Sequence, residues 1–415
     1  MIGGREEVVV HMDAAELGGD QVVGTLGGNR SRSGRVYSFS YDASWLARPG
    51  RFTLDPSLGL YEGEQFAQAL PGIFTDAAPD RWGRRLLERR EDILAKREGR
   101  RPRTLDDWDF LTGVSDQLRM GALRLASPTT GRFLDDSLPE VPANARLREL
   151  EHLARLADED RLPVSDESEW LRILLAPGSS LGGTRPKANF QETDGALWIA
   201  KFPSREDRRD VGAWEYVMTQ LAERSGIGVP RTQLLRLAST YRTFCSQRFD
   251  RVARRRRLYA SALTMTGKRD GDEASYLDLA EAITFYADPQ AIDSDLEQLF
   301  RRLVFNILAA NRDDHLRNHG FLRGPKGWRL SPVFDLNPAP ETNEHSLALD
   351  EASHIPDLRP AFDTAGLYRL SDRRARAIVD EIRAAVGSWR EVALAADLPR
   401  EDVEPLAAAF EMAPA

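Results

Sequence analysis

Apolar residues are spaced as in β-strands near the N-terminus and as in α-helices over much of the rest of the chain. In the first forty residues short apolar runs, Val8–Val10, Val22–Leu26 and Val36–Tyr41, alternate with polar residues, and this pattern predicts β-strands. Gly27-Gly28-Asn29 carries turn signals between the second and third runs. We therefore expect a β-rich N-terminal subdomain.

A change to helical spacing follows. Apolar positions within the Arg- and Glu-rich segment 80–97 predict a helix with Asp80 as its cap. Three prolines in segment 126–143 then predict a linker and a subdomain boundary: Pro128, Pro139 and Pro142.

Beyond residue 146 the pattern predicts two helices, the first on the Leu147–Leu156 stripe and the second at Glu167–Leu175. A third predicted helix, Val211–Ser225, ends before Gly226. The strands expected around it are Lys187–Gln191, Leu197–Phe202, Arg231–Leu237 and Thr243–Phe249.

After about residue 270 the chain is largely helical. Apolar residues from Leu296 to Leu308 recur at helical spacing, and this helix ends just before the polar loop 311–318. The predicted class is α+β with two lobes. A β-rich N-terminal subdomain (1–125) precedes a mixed lobe (146–250) and a mainly helical lobe (251–415).

Composition narrows the class of protein. The 415 residues carry a formal net charge of −8, which argues against a nucleic-acid-binding surface over the whole molecule. Two basic runs, Arg81–Arg103 and Arg254–Arg257, are typical of a solvated face but leave open a patch that contacts DNA or a partner.

The absence of a long apolar run and of an apolar N-terminal segment predicts no membrane span and no secretion signal. Cys245 is the only cysteine, so no internal disulfide forms and a cytoplasmic location is expected.

The loop 311–318 holds the strongest chemical signal. Asn318 comes five residues after Asp313, and Asp335 follows about twenty residues later. Kinase catalytic loops use this arrangement, in which the Asp orients the attacking hydroxyl and the Asn and the later Asp hold Mg²⁺. Asp314 competes for the role of base, but the spacing favours Asp313. We interpret His315 as an orienting, hydrogen-bonded group.

The residues upstream of this loop follow the order found in kinases, so we predict a two-lobed kinase-like fold with 146–250 as the nucleotide-binding lobe and 251–415 as the helical catalytic lobe. A small-residue loop runs from Pro177 into the strand at Lys187, and glycines let a backbone approach phosphate, although this signal alone is weak. Lys201 lies inside an apolar strand, so its ammonium needs a partner, and Glu215 on the following helix is the candidate. Only five of the 57 basic residues are lysines, which supports a specific role for Lys201. Segment 247–251 stands where a hinge would bind adenine.

A metal hydrolase is a competing interpretation. His315 and His319 are four residues apart, which is the spacing of a zinc pair on one helical face. The Glu of the H-E-x-x-H pattern is missing, and the loop follows a helix end, so the zinc interpretation is the weaker one.

Taken together, the 180–187 loop, Lys201-Phe202-Pro203, segment 247–251, the 311–318 loop and Phe334-Asp335 resemble the HipA family of bacterial serine/threonine protein kinase toxins. Three stretches look like that family's N-terminal subdomain: Tyr41–Leu46, Leu54–Leu60 and Ala78–Arg84. The resemblance implies ATP and Mg²⁺ as cofactors, Asp313 as the base with Lys201 and Glu215, and Asn318 and Asp335 as metal ligands. It also implies autophosphorylation at Ser180, which would switch the enzyme off. The implied nucleotide contacts are Gly182, Gly183, Thr184, Arg185, Pro186, Lys187, Lys201, Gln247, Arg248, Phe249 and His315.

The same resemblance implies partners. Family members pair with DNA-binding antitoxins, and their known targets include aminoacyl-tRNA synthetases. The expected function is therefore a toxin that halts growth by phosphorylating a translation component and then inactivates itself. Two alternatives stay open: a DNA-bound corepressor in which kinase activity is secondary, and a kinase acting on a small molecule or lipid.

Overall fold

The structure is a computed structural model, and it describes residues 6–31, 34–134, 143–161, 183, 185–252 and 255–410. Strands and helices are both present in these ranges, which confirms the predicted mixed α and β class. The chain forms two compact units. The N-terminal unit comprises Met1–Ala200, Asp250–Ala260 and Arg323–Pro325, and the C-terminal unit comprises Lys201–Phe249, Ser261–Leu322 and Lys326–Ala415. The three domain ranges expected from the sequence stay a prediction.

The strands of the described residues are β1 (Glu6–Ala14), β2 (Gly19–Ser31), β3 (Gly34–Tyr41), β4 (Gln65–Ala67), β5 (Leu123–Ala126), β6 (Lys187–Gln191), β7 (Leu197–Lys201), β8 (Thr232–Leu235), β9 (Thr243–Gln247), β10 (Arg251–Val252), β11 (Arg255–Arg256), β12 (Tyr259–Ser261), β13 (Gly320–Arg323) and β14 (Trp328–Leu330). The α-helices are α1 (Ala43–Ala47), α2 (Gly72–Asp76), α3 (Arg81–Arg97), α4 (Asp107–Thr112), α5 (Leu147–Asp158), α6 (Val211–Arg224), α7 (Ala262–Met265), α8 (Tyr276–Tyr286), α9 (Ile292–Leu308), α10 (Arg359–Asp363), α11 (Asp372–Gly387), α12 (Trp389–Ala395), α13 (Arg400–Val403) and α14 (Ala407–Phe410).

The N-terminal unit is built on one large sheet with the strand order β10-β11-β1-β2-β3-β4, and β5 also pairs with β1. The β1–β2, β2–β3 and β3–β4 pairs are antiparallel. In β1 every second side chain is buried, from Val8 to Ala14, because alternate residues of a strand point to opposite faces of the sheet. The β-rich N-terminal subdomain expected from the sequence is therefore present.

The turn predicted at Gly27-Gly28-Asn29 is wrong, because all three residues lie inside β2, which runs on to Ser31. The glycine signal has a different cause. A Cβ added to Gly28 would lie 2.9 Å from the Trp108 ring and 2.9 Å from the Arg35 guanidinium. Gly28 is thus required for the close approach of these side chains to the strand, which is the other common reason for a glycine within a strand.

The helix α3 begins where the sequence predicted it. Asp80 caps it, since its Oδ1 accepts a hydrogen bond of 2.8 Å from the Gly83 N–H. The second oxygen of the same carboxylate lies 2.6 Å from Lys187 Nζ, and both side chains are only 3% exposed. The Trp82 indole also donates to the Lys187 carbonyl oxygen over 3.1 Å. The first turn of α3 therefore anchors the start of β6.

A later segment of the chain completes the N-terminal unit. Residues 250–257 return to it as the short pair β10–β11, and β11 runs parallel to β1. The Asp250 carboxylate accepts from the Gly121 N–H over 2.8 Å, and Arg251 donates to the carbonyl oxygens of Gly121 and Arg119 over 3.0 Å and 2.8 Å. Buried backbone groups need such partners, so this segment is part of the unit's core.

Two capped helices dominate the part of the C-terminal unit that carries the polar loop. Asp210 caps α6 through the Ala213 N–H, and the helix ends at Gly226 in the left-handed conformation, as predicted. In α9 the predicted apolar stripe is buried. This helix stops because Ala310 adopts φ +49° and the Asn311 N–H returns to the Asn306 carbonyl oxygen over 3.0 Å.

Among the residues that the structure describes, no helix combines the length and the apolar character needed to cross a bilayer.

Candidate functional site

Lys201 is the centre of a three-residue ion cluster in the C-terminal unit. It is the last residue of β7, and its Nζ lies 2.6 Å from Glu215 Oε1 on α6 and 2.7 Å from Asp335 Oδ1. The side chains of Lys201 and Glu215 are 12% and 4% exposed, so the ammonium is held away from bulk water. The pair expected from the sequence is thus joined by a third predicted site residue, Asp335.

The charge of Lys201 is secured by these carboxylates. Burial disfavours the ammonium, but Asp335 and Glu215 outweigh that effect and raise the pKa of Lys201 above its ordinary value. Lys201 therefore holds its positive charge more firmly than an isolated lysine does. A fixed positive charge in a partly dry site is what the binding of phosphate oxygens requires.

Asp335 has an unusual backbone. Its φ of +61° lies in the left-handed region, which residues other than glycine rarely adopt. The preceding ring, Phe334, packs against Phe249 with 5.5 Å between centroids. This packing and the Lys201 contact hold the Asp335 carboxylate in place, and strained backbone of this kind concentrates at functional sites.

The two neighbouring aspartates of the polar loop have opposite environments. Asp313 is exposed, whereas Asp314 is 4% exposed. Asp314 Oδ2 accepts from Asn306 Nδ2 over 2.9 Å and from the Tyr276 hydroxyl, and lies 2.8 Å from His319 Nε2. Burial alone would raise the pKa of Asp314, but His319 and Tyr276 outweigh it and lower that pKa. Asp313 can meet a substrate, and Asp314 is enclosed.

Asn318 carries an oxygen that is available for a cation. Its Nδ2 donates to the Asp313 carbonyl oxygen over 3.2 Å, which fixes the orientation of the amide. Its Oδ1 is buried, and no described residue donates a hydrogen bond to it. A buried amide oxygen without a donor is costly unless something else binds it, and oxygen ligands suit Mg²⁺. Asn318 and Asp335 therefore fit the metal role implied by the sequence.

The zinc interpretation is disfavoured. His319 is 1% exposed and its Nε2 is occupied by Asp314, while only residues 316–318 of the loop are helical, as one 3₁₀ turn. The four-residue spacing of His315 and His319 consequently does not lie on an α-helical face. In the described ranges no group of three or more His, Cys, Asp or Glu residues is placed to hold a metal ion.

The predicted phosphate loop is only partly within the described residues. Ser180, Gly182 and Thr184 lie outside them, as does the predicted helix Glu167–Leu175. Gly183 is exposed with φ +89°, Arg185 is half-buried and Pro186 is buried. The Lys187 ammonium is buried against Asp80, so in this structure it anchors the end of the loop. Phosphate contact by these residues stays a prediction.

The predicted hinge follows β9. Gln247 ends this strand, and its N–H donates to the Arg231 carbonyl oxygen over 2.8 Å. Arg248 is 2% exposed, and the Phe249 ring packs on Phe334 as described above. The segment thus contacts the residue that precedes Asp335. Its proposed contact with adenine is untested.

Sequence reasoning missed the residues that surround Asp314. Tyr276, Asn306 and Asn311 are separate in the chain, and each looked like an ordinary helix or loop residue. A signal existed for Asn306: it is a polar residue in the middle of an apolar helical stripe, and such a residue needs a partner when it is buried. The spacing of residues in the sequence did not identify the partner of Asn306.

His345 provides a pH-sensitive neighbour of the loop. It is 3% exposed, and the Ser346 N–H next to it donates to the Arg312 carbonyl oxygen over 2.9 Å. Burial lowers the pKa of His345 to about 4; Asp314 opposes this shift, and Arg312 and His354 add to it. Because the ordinary value of a histidine is about 6.5, the unfolded chain takes up a proton between these two values and the folded protein does not.

We expect the free energy of unfolding to fall by about 2 kcal/mol when the pH is lowered from 7.5 to 5.0, through this group alone. The stabilisation is fully present above pH 6.5 and is lost as the pH falls towards 4. Urea denaturation of the parent and of His345→Phe at both pH values measures it. The variant should lose about 2 kcal/mol less than the parent on acidification, and an equal loss in both would contradict the assignment.

Family models match both parts of the chain. The HipA-like C-terminal domain matches residues 179–389, just over half of the chain, and the HipA N-terminal domain matches residues 17–126. A relative named serine/threonine-protein kinase toxin HipA, from Shewanella oneidensis, is 25% identical over 228 residues, which cover 47% of this chain and 52% of that protein. The chain spans about half the length of the curated relatives it matches.

A solved structure shares the fold. HipA of Shewanella oneidensis MR-1, in a toxin–antitoxin complex with HipB and its operator DNA, matches with a TM-score of 0.67 and 18% identity. The match covers 97% of this chain and 95% of that one. The cluster of Lys201, Glu215 and Asp335 thus lies in a chain with the HipA fold, and the two family models match the chain with the N-terminal domain before the C-terminal domain. The chain belongs to the HipA family.

Proposed function

We propose that the protein is a serine/threonine protein kinase that transfers the γ-phosphoryl group of ATP to a protein hydroxyl. The observation that carries the proposal is the cluster of Lys201, Glu215 and Asp335, in which one largely buried ammonium joins a strand, a helix and a predicted metal ligand. Kinases use such a Lys–Glu pair to hold the nucleotide phosphates.

The roles of the chain's own residues follow from their positions. Asp313, exposed at the loop, accepts the proton of the attacking hydroxyl. Lys201 holds the phosphate oxygens, and Glu215 keeps Lys201 oriented. Asn318 and Asp335 would hold Mg²⁺, which supplies neutralisation of the phosphate charge when it is bound. Catalysis is then mainly positioning and charge stabilisation.

We further propose that the protein acts as the toxin of a toxin–antitoxin pair in the cytoplasm. The target is a translation component such as an aminoacyl-tRNA synthetase, and autophosphorylation at Ser180 inactivates the enzyme. The partner is a DNA-binding antitoxin, through which DNA contact arises. The complex of the Shewanella HipA with HipB and operator DNA supports this partner class. A corepressor role and a small-molecule or lipid acceptor are the competing outcomes.

The first experiment is incubation of the purified protein with Mg²⁺ and labelled ATP, with the intact mass read beforehand. We expect incorporation of label at Ser180, abolished by EDTA and restored by added Mg²⁺. Ser179→Ala is the matched control and should keep the label, whereas Ser180→Ala should lose it. An unmodified protein that binds ATP without transferring phosphate would favour the corepressor role, and a protein that does not bind ATP would overturn the kinase proposal.

A further inference from the structure

We infer that two buried amide side chains, Asn306 and Asn311, link the loop of Asp313 to the loop of Asp335 and act as positioning residues for phosphoryl transfer. With Tyr276, Asp314 and Asn337 they form one hydrogen-bonded chain, which we call the amide relay. The inference rests on the proposed kinase function. It adds residues that neither touch the reacting atoms nor belong to the kinase pattern in the sequence.

Asn306 is the fixed point of the amide relay. It lies in the last turn of α9 and is 1% exposed. Its Nδ2 donates to Asp314 Oδ2 over 2.9 Å and to the Tyr276 hydroxyl oxygen over 2.7 Å, and its Oδ1 accepts from Asn311 Nδ2 over 3.0 Å. Both amide protons and the oxygen are therefore used. A flipped amide would place its oxygen against the Asp314 carboxylate, so only one orientation is stable.

Asn311 connects the loop of Asp313 to the loop of Asp335 through its side chain. It begins the polar loop and is 2% exposed. While its Nδ2 binds Asn306, its Oδ1 accepts from the Asn337 N–H over 3.2 Å. Asn337 stands two residues after Asp335, so this bond fixes the backbone that carries the predicted metal ligand. The backbone N–H of Asn311 is itself held by the Asn306 carbonyl oxygen over 3.0 Å.

The other end of the amide relay fixes the backbone beside Asp313. Asp314 is held by Asn306, Tyr276 and His319, and the Tyr276 and His319 rings meet edge to face at 5.8 Å. On the far side of the loop, Asn318 Nδ2 binds the Asp313 carbonyl oxygen. An exposed aspartate thus projects from a backbone that is held on both sides, and the same chain of bonds ends at the Asn337 N–H, two residues after Asp335.

The amide relay matters for rate because phosphoryl transfer depends on relative position. A displacement of about 1 Å between catalytic groups can cost about 10²-fold in rate. A buried polar network that is fully hydrogen-bonded fixes a single arrangement, which apolar packing does less well. Without Asn311 the Asn306 oxygen and the Asn337 N–H lose their partners, and the two loops are no longer joined through this path.

The test is Asn311→Ala in the full-length protein. We expect kcat for phosphate transfer to fall by about 30-fold and the Mg²⁺ concentration for half-maximal rate to rise by about fivefold, while KM for ATP stays within twofold. A loss of rate that arises only from partial unfolding would scale with the folded fraction and would leave both half-saturation values unchanged. Urea denaturation measures that fraction.

Two further variants keep the test decisive. Tyr276→Phe removes one hydroxyl from the amide relay but keeps the ring, so it folds even if Asn311→Ala does not. We expect a fall in kcat of about fivefold, and less than the product of the single effects when both changes are combined. Ile307→Val, in the same turn of α9, removes one methylene from the core and should leave kcat and Mg²⁺ dependence within twofold.

A separate binding readout uses Mn²⁺ and a non-hydrolysable ATP analogue. The parent should bind both, and Asn311→Ala should weaken Mn²⁺ about fivefold at unchanged affinity for the analogue. An active parent with Asn311→Ala and Tyr276→Phe at parental kcat and metal affinity would overturn the amide relay alone. A parent that neither transfers phosphate nor binds the analogue would overturn the proposed function and this inference together.

Discussion

We expect Asp313→Ala to lower the rate of phosphate transfer by about 10³-fold and to leave the free energy of unfolding within about 0.5 kcal/mol of the parent. The rate falls because the attacking hydroxyl loses the group that takes its proton. Stability is nearly unchanged because the Asp313 side chain is exposed. Single-turnover transfer from labelled ATP, together with urea denaturation, measures both quantities on one preparation. Affinity for ATP should be retained, since Asp313 is proposed to contact the acceptor.

Variants of two other aspartates, Asp314 and Asp380, serve as comparisons for Asp313→Ala. Asp314→Asn should destabilise the protein, because a neutral amide oxygen accepts the hydrogen bonds from Asn306, Tyr276 and His319 more weakly than the carboxylate does, and the amide NH2 adds two buried donors. Asp380→Ala, on the exposed face of α11, should change neither rate nor stability. Should Asp313→Ala transfer phosphate at the parental rate, the choice of Asp313 over Asp314 as base would be wrong.

Lys201→Met should affect both stability and catalysis. Removal of the ammonium takes away the positive charge that lies 2.6 Å from Glu215 Oε1 and 2.7 Å from Asp335 Oδ1. Loss of one partner from a buried ion pair costs about 3–5 kcal/mol, and the 25% exposure of the Asp335 side chain reduces the expected cost to about 2–3 kcal/mol. We also expect kcat/KM for ATP to fall by about 10²–10³-fold.

Two control variants separate the effect of the Lys201 charge from the effect of its side-chain shape. Lys201→Arg keeps the positive charge but replaces a compact ammonium by a wide planar group, so it should recover part of the stability and little of the activity. Lys326→Met removes an exposed lysine and should leave both unchanged. If Lys201→Met were as stable and as active as the parent, the ion cluster would be a structural detail and the kinase proposal would lose its main support.

The features that could be predicted from the sequence depend on residues that lie close together along the chain. Lys201 interrupts an apolar strand, so it needed a partner, and Glu215 on the next helix was within reach. The helix α9 followed from its apolar period, and the mixed fold class followed from the order of strands and helices. In each case the information lies within a few turns or one strand–helix step, where spacing determines which side chains meet.

Long-range partners explain what the sequence could not predict. The contact of Lys187 with Asp80 spans 107 positions, and only the fold brings the two together. The link from Asn311 to Asn337 is a side-chain-to-backbone bond that no residue pattern encodes. The glycines of β2 were taken for a turn because local spacing does not reveal that a tryptophan from α4 lies above Gly28.

The return of residues 250–257 to the N-terminal unit bears on how the protein is made. During synthesis the first 126 residues leave the ribosome long before the strand that pairs with β1 at Ala14, and before the Arg251 guanidinium that binds the carbonyl oxygens of Arg119 and Gly121. Within these 126 residues β1 is already paired with β2 and with β5, so the contacts that are still missing include the Ala14–Arg256 pair and the hydrogen bonds from Arg251. We conclude that the N-terminal unit completes its native contacts only after about residue 257 has emerged.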